Sequence, residues 1–99
     1  STPTGICLAL ADRLDTLVGI FGIGQAPTGD KDPFALRRQA VGILRILIEK
    51  ALPLDLQDLL TLAQQGYGSV VSDKVIPQVL QFCFERFKAW ELEQGMSIQ

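Results

Sequence analysis

Residues 22–33, GIGQAPTGDKDP, constrain this chain more than any other stretch. Three glycines and two prolines within twelve residues sustain neither a helix nor a central strand. Proline removes a backbone donor, and glycine gives up the most conformational entropy on ordering. The chain must therefore be assembled from separate elements on either side of a long connector. Both sides carry the period of helices buried on one face. Nothing alternates with period two for long enough to compete, Gly68-Ser69-Val70-Val71 being too short for a strand. The pattern predicts an all-α chain of about four helices joined by short loops, over 4–21, 33–50, 55–65 and 73–93, with 22–33 as the Gly/Pro-rich loop. Residues 1–99 are read as one helical domain or a fragment of a larger helical multidomain chain.

In the first helix Leu10, Leu14, Leu17 and Phe21, with Ala11 and Val18, are expected to face the core, and Asp12, Asp15, Thr16 and Gly19 to lie elsewhere. Asp32 suits an N-cap and Pro33 the first position of the second helix, where a missing N–H costs nothing. The apolar stripe of that helix is read as Val41, Leu44 and Ile48, widened by Ala40, Ile43 and Leu47, opposite Arg38, Gly42, Arg45 and Glu49. On this register Arg37 falls on the apolar face of the first turn. It must snorkel, pair with Asp32 or an acid from another domain, or face a partner. Asp55 is expected to cap the third helix, with Asp58 in a capping-box-like place, Leu56, Leu59, Leu60 and Ala63 inside, and Gly66 as the stop before a Tyr67-Gly68-Ser69 loop. In the fourth, Pro77 must lie near the first turn. Ile76, Val79, Leu80, Cys83, Phe87 and Trp90 form its apolar face, and Phe82 and Phe84 broaden it. That breadth is more than a four-helix domain needs, so part of the face is expected to meet another domain.

The net charge of −2 lacks the basic excess of a self-sufficient nucleic-acid binder. Its distribution is uneven. Residues 1–30 carry −2 and residues 51–99 carry −3, whereas 31–50 carry +3, from Lys31, Arg37, Arg38, Arg45 and Lys50 against Asp32 and Glu49. A polyanion would therefore meet the middle segment. If the glycine-rich loop touches an anion, Lys31, Arg37, Arg38 and the start of the second helix would form one electropositive spot suited to a nucleic-acid phosphate. The loop is not a Walker A loop, which needs Gly-Lys followed by Ser or Thr, and no strand precedes it. Histidine is absent, which excludes Cys/His zinc sites and Cys/His or Ser/His/Asp catalytic sets within the chain. Asp12 and Asp15, at i, i+3, supply two carboxylates, too few for a tight metal site. Cys7 and Cys83, both inside apolar patterns, are read as buried thiols of a reducing cytoplasm. No apolar run is long enough to span a bilayer, and no signal peptide is visible at the start.

The run ALADRLDTLVGIFGIGQAPTGDKDPFALRR, residues 9–38, closely resembles the signature segment of the glycyl-tRNA synthetase beta subunit of the bacterial heterotetrameric type. Ala40-Val41-Gly42-Ile43-Leu44-Arg45-Ile46-Leu47 continues the pattern. The resemblance is dense over about 5–50 and weaker through 82–95. It implies a fragment from the middle-to-late part of a long helical beta chain. The parent enzyme would be a class II ligase of two alpha and two beta subunits that joins glycine to its tRNA with ATP and Mg²⁺. Aminoacylation would occur on the alpha subunit, and the beta chain would be needed for tRNA recognition. The resemblance also places residue 1 near the last helix of an HD-type region, where Asp12 in Leu10-Ala11-Asp12-Arg13-Leu14 matches the final metal-binding Asp of that superfamily. The histidines and the other Asp of such a site would lie upstream, so no metal and no cofactor are assigned to this chain. The run 32–38 is also similar to a helix-opening signature of some anticodon-binding domains, too briefly to place an anticodon contact.

The expected function is thus a non-catalytic segment of a cytoplasmic glycyl-tRNA synthetase beta subunit, supporting tRNA-Gly recognition and subunit architecture. Lys31, Arg37, Arg38 and Arg45 are the tRNA-backbone candidates. Its partners would be tRNA-Gly, the alpha subunit and other beta-subunit domains, with no membrane and no DNA. The alternatives are an autonomous helical protein-interaction module and a degenerate HD hydrolase.

Overall fold

The computed structural model describes residues 3–98. It contains α1 (Pro3–Gly22), α2 (Leu36–Glu49), α3 (Leu56–Tyr67), a 3₁₀ turn at Gly68–Val70, and α4 (Val75–Ile98). Among the described residues there is no strand, only an isolated bridge between Thr28 and Lys31. The architecture is all-α, as the periodicity requires.

α1 and α4 pack on each other, and α2 and α3 each pack on both. The molecule measures 47 × 35 × 20 Å. The shortest dimension is about two helix diameters, so one core layer holds it together. That layer contains Leu14, Leu17 and Val18 of α1, Leu36, Ala40 and Ile43 of α2, Leu60 of α3, and Val79 and Cys83 of α4, all buried. Each large aliphatic side chain there contributes about 1.5–3 kcal/mol relative to exposure. Phe21 and Phe82 meet edge to face at the margin, their centroids 5.3 Å apart.

α1 and α2 end in the same way. At the end of α1, Gln25 N donates to Ile20 O and Gly24 N to Phe21 O, both at 3.0 Å. At the end of α2, Leu52 N donates to Leu47 O at 3.0 Å and Ala51 N to Ile48 O at 3.1 Å. Both are Schellman motifs, which need a left-handed residue after the helix. Gly24 (φ 76°) supplies it in one and Ala51 (φ 50°) in the other.

Four sequence expectations change. α2 begins at Leu36 rather than at Pro33, because Pro33 and Phe34 lie in a turn and Ala35 stands in the left-handed region (φ 54°, ψ 41°). Its buried stripe is Leu36, Ala40 and Ile43 with Leu47 packed behind, and Ile48 is 51% exposed. The stripe is one residue out of the expected register, about 100° around the helix. α3 runs through Gly66 to Tyr67 and stops at Gly68 (φ 64°), while Gln64 Nε2 ties the following turn down through Val71 O at 2.7 Å. Cys7 is exposed, so only Cys83 is a buried thiol. Burial pushes the Cys83 thiol up to about 11, since a thiolate is poorly solvated there. Asp55 does cap α3, accepting from Gln57 N and Asp58 N.

Candidate nucleic-acid interface

The connector between α1 and α2 closes through short-range hydrogen bonds. Thr28 and Lys31 exchange backbone bonds of 3.1 and 2.8 Å around Gly29-Asp30, and Gly29 (φ 55°) takes the turn conformation that a side chain resists. Asp32 follows. Its carboxylate accepts from Leu36 N at 2.7 Å and from Arg37 N at 3.0 Å. Asp32 therefore caps α2 from four residues upstream, although Pro33 is not helical. The first N–H groups of α2 are answered by a carboxylate of the chain itself and are not open to an external phosphate.

Arg37 is pinned to this loop. Its Nη2 donates to Gly29 O at 2.6 Å, and its Nη1 stands 3.9 Å from Asp32 Oδ2. Of the roles open to it in the sequence, pairing with Asp32 is the one the geometry realises. Lys31 and Arg38 are exposed. Arg45, also exposed, pairs with Glu49 at 3.0 Å, one turn along the helix; such surface pairs contribute only a few tenths of a kcal/mol and leave the charge available. Arg38 and Arg45 are seven residues apart, so they share one face of α2 about 10 Å apart along its axis.

A shallow groove of about 300 Å³ opens where α2 meets the C-terminal half of α4, lined by Arg37, Arg38, Val41, Arg86, Trp90 and Glu93. Among the described residues no carboxylate stands within ion-pair distance of Arg38 or Arg86. Arg86 Nε is sealed from solvent with no hydrogen-bond partner. Trp90, half-buried, is stacked on Phe87 at 6.1 Å. The sequence assigns Trp90 to the apolar face of the fourth helix as packing, not base stacking, and Arg86 lies about fifty residues beyond Arg37 and Arg38, so neither is among the sequence candidates. Their own spacing, i and i+4 on one helix, is the only signal that could have joined them.

Asp12 lies on the opposite side of α1 from the core, in a separate hollow with Arg13, Thr16 and Gln39. Among the described residues no three His, Cys, Asp or Glu side chains converge. Arg13 instead fastens α1 to α2. Its Nη1 donates to Gln39 Oε1 at 3.0 Å, and its guanidinium lies so close over Gly42 that a β-carbon there would stand 2.8 Å from Nη1.

A family model described as glycyl-tRNA synthetase beta subunit matches residues 1–99. Curated relatives named glycine–tRNA ligase beta subunit are 58% identical in Shewanella sediminis and 56% identical in Yersinia enterocolitica, each over 99% of this chain. The relative of that name in Acinetobacter baylyi is 56% identical over 98% of the chain. The chain spans 14% of the length of these relatives.

Proposed function

The chain belongs to the glycyl-tRNA synthetase beta-subunit family, and on that footing we propose that it serves as a non-catalytic, tRNA-positioning and architectural segment of a glycine–tRNA ligase. The observation that carries this reading is the concentration of +3 on residues 31–50 of a chain whose net charge is −2. Lys31, Arg38 and Arg45 present that charge to solvent, and Arg37 holds the loop that carries Lys31. Contacts of this kind hold a phosphodiester backbone without reading bases, and they weaken with added salt. Glycine activation with ATP and Mg²⁺ is assigned to the alpha subunit of the parent enzyme, which would work in the cytoplasm. No helix among the described residues is long and apolar enough to cross a membrane.

The architectural share rests on exposed apolar side chains. Leu8, Leu62 and Leu92 are each more than 60% exposed, and other beta-subunit domains would cover such positions.

The test uses the full-length beta chain assembled with its alpha subunit. The double substitution Lys31→Glu, Arg45→Glu is expected to raise KM for tRNA-Gly roughly 10-fold or more, and to leave tRNA-independent glycine activation unchanged. Unaltered tRNA kinetics would remove the tRNA half of the proposal.

A further inference from the structure

We propose that the groove between α2 and α4 is a seat for a single RNA nucleotide, with Arg38 and Arg86 holding its phosphate and Trp90 offering an aromatic face to its base. The inference rests on the reading of this chain as a tRNA-binding segment and deepens it from a charged face to a defined seat.

Three features of the groove point the same way. The first is charge. Arg37, Arg38 and Arg86 line it against the single carboxylate of Glu93. Clustering guanidinium groups costs electrostatic energy unless an anion offsets it. Arg37 has an ion-pair partner in Asp32; among the described residues no carboxylate stands within ion-pair distance of Arg38 or Arg86, and Glu93 leaves the lining with a net positive charge. The second is the state of Arg86. Its Nε is walled in without an acceptor, so its bonds must be made through the terminal nitrogens, the fork that suits two oxygens of one phosphate. An anion on those terminal nitrogens leaves Nε itself unsatisfied, but it offsets the charge of a guanidinium that is only partly exposed. The third is the wall. Trp90 and Val41 give the groove an apolar side. An aromatic surface beside cations is the combination that binds unpaired nucleotides, the base stacking while the backbone is held. The volume, about 300 Å³, is at the lower end of small-ligand sites. It suits one nucleotide, not a duplex groove.

The alternative occupant is an acidic segment of another beta-subunit domain, and the test separates the two. tRNA-Gly binding to the full-length protein is measured across a salt series for the parent, Arg86→Gln, Trp90→Leu, Trp90→Phe and the Lys31→Glu, Arg45→Glu pair. With the seat in use, Arg86→Gln weakens binding and reduces the slope of log K against log salt by about 0.7–0.9, one phosphate contact. Trp90→Leu weakens binding about 5-fold or more with the slope unchanged, and Trp90→Phe retains most of the affinity. If Arg86→Gln and Trp90→Leu bind like the parent while the Lys31, Arg45 pair is impaired, the seat is overturned and the charged face stands. If none of the variants changes binding, both fail. If Arg86→Gln lowers the melting temperature and leaves tRNA binding intact, the groove is filled by protein and the seat is likewise overturned.

Discussion

Ala51 and Gly24 hold the same place in two Schellman motifs, and only one of them has the residue type the place favours. An L-residue in the left-handed region brings Cβ against a carbonyl, at a cost of about 1–2 kcal/mol. Ala51→Gly should therefore stabilise the chain by about 0.5–1 kcal/mol despite the added chain entropy of glycine, and Gly24→Ala should destabilise it by a similar or larger amount. Urea midpoints at constant m-value would show both, and a destabilising Ala51→Gly would contradict the assigned geometry. The pair also marks how much a single residue discloses. Gly24 was legible as a helix end because glycine follows a periodic run. Ala51 was not, since alanine is the strongest helix former and its left-handed φ is imposed by the backbone bonds from Leu52 to Leu47. Cys7 misled for a related reason. It sits among apolar neighbours in sequence, yet no element covers that side of α1.

At the scale of elements, α2 is held at its start by one carboxylate. Asp32→Ala removes two hydrogen bonds to Leu36 N and Arg37 N and takes away the partner of the Arg37 guanidinium. A loss of about 1–2 kcal/mol is expected, read from chemical denaturation followed by circular dichroism. A loss under about 0.3 kcal/mol would mean that Asp32 does not cap the helix in solution. The long break before the second helix was visible in the sequence, and so was Asp32 as its cap; that Pro33 and Phe34 turn first, so that the helix starts at Leu36, was not. The buried face was harder to choose. Ala40, Ile43 and Leu47 and the set Val41, Leu44 and Ile48 differ by a one-residue rotation, and both are apolar. Periodicity alone cannot arbitrate between them. The choice is made by α1 and α4, against which Leu36, Ala40 and Ile43 are fully buried. The four-helix count and the buried Leu10, Leu14, Leu17, Val18, Leu60 and Ala63 followed from the period of the sequence, whereas Ala11, also expected inside, is exposed.

For the whole molecule, a core one layer deep leaves apolar surface uncovered. Leu59, Leu62 and Ala63 of α3 meet Ala11 and Leu14 of α1 in an open groove, and Leu8 lies one turn before Ala11 on α1. Leu8 and Leu62 are 63% and 64% exposed. Cut out as residues 1–99, the chain is expected to self-associate at high micromolar concentration through this side, and Leu8→Lys with Leu62→Lys should keep it monomeric. Sedimentation velocity decides it: a wild-type fragment that stays monomeric throughout would count against the apolar side as a covered surface. The same scale governs what the sequence could say about the site. Lys31, Arg37, Arg38 and Arg45 are close in sequence and were found by counting charge. Arg86 and Trp90 join them only because α4 returns beside α2, a tertiary fact that composition and spacing do not encode.

The contact between Arg13 and Gly42 reaches beyond this one molecule. The guanidinium lies where any side chain at position 42 would begin, so the two positions share one volume. A side chain at 42 must push aside the far end of Arg13, a flexible group, and with it the bond to Gln39. Across descendants of this chain, loss of Gly42 should therefore go together with loss of the long side chain at 13 or of its tie to 39 more often than chance allows.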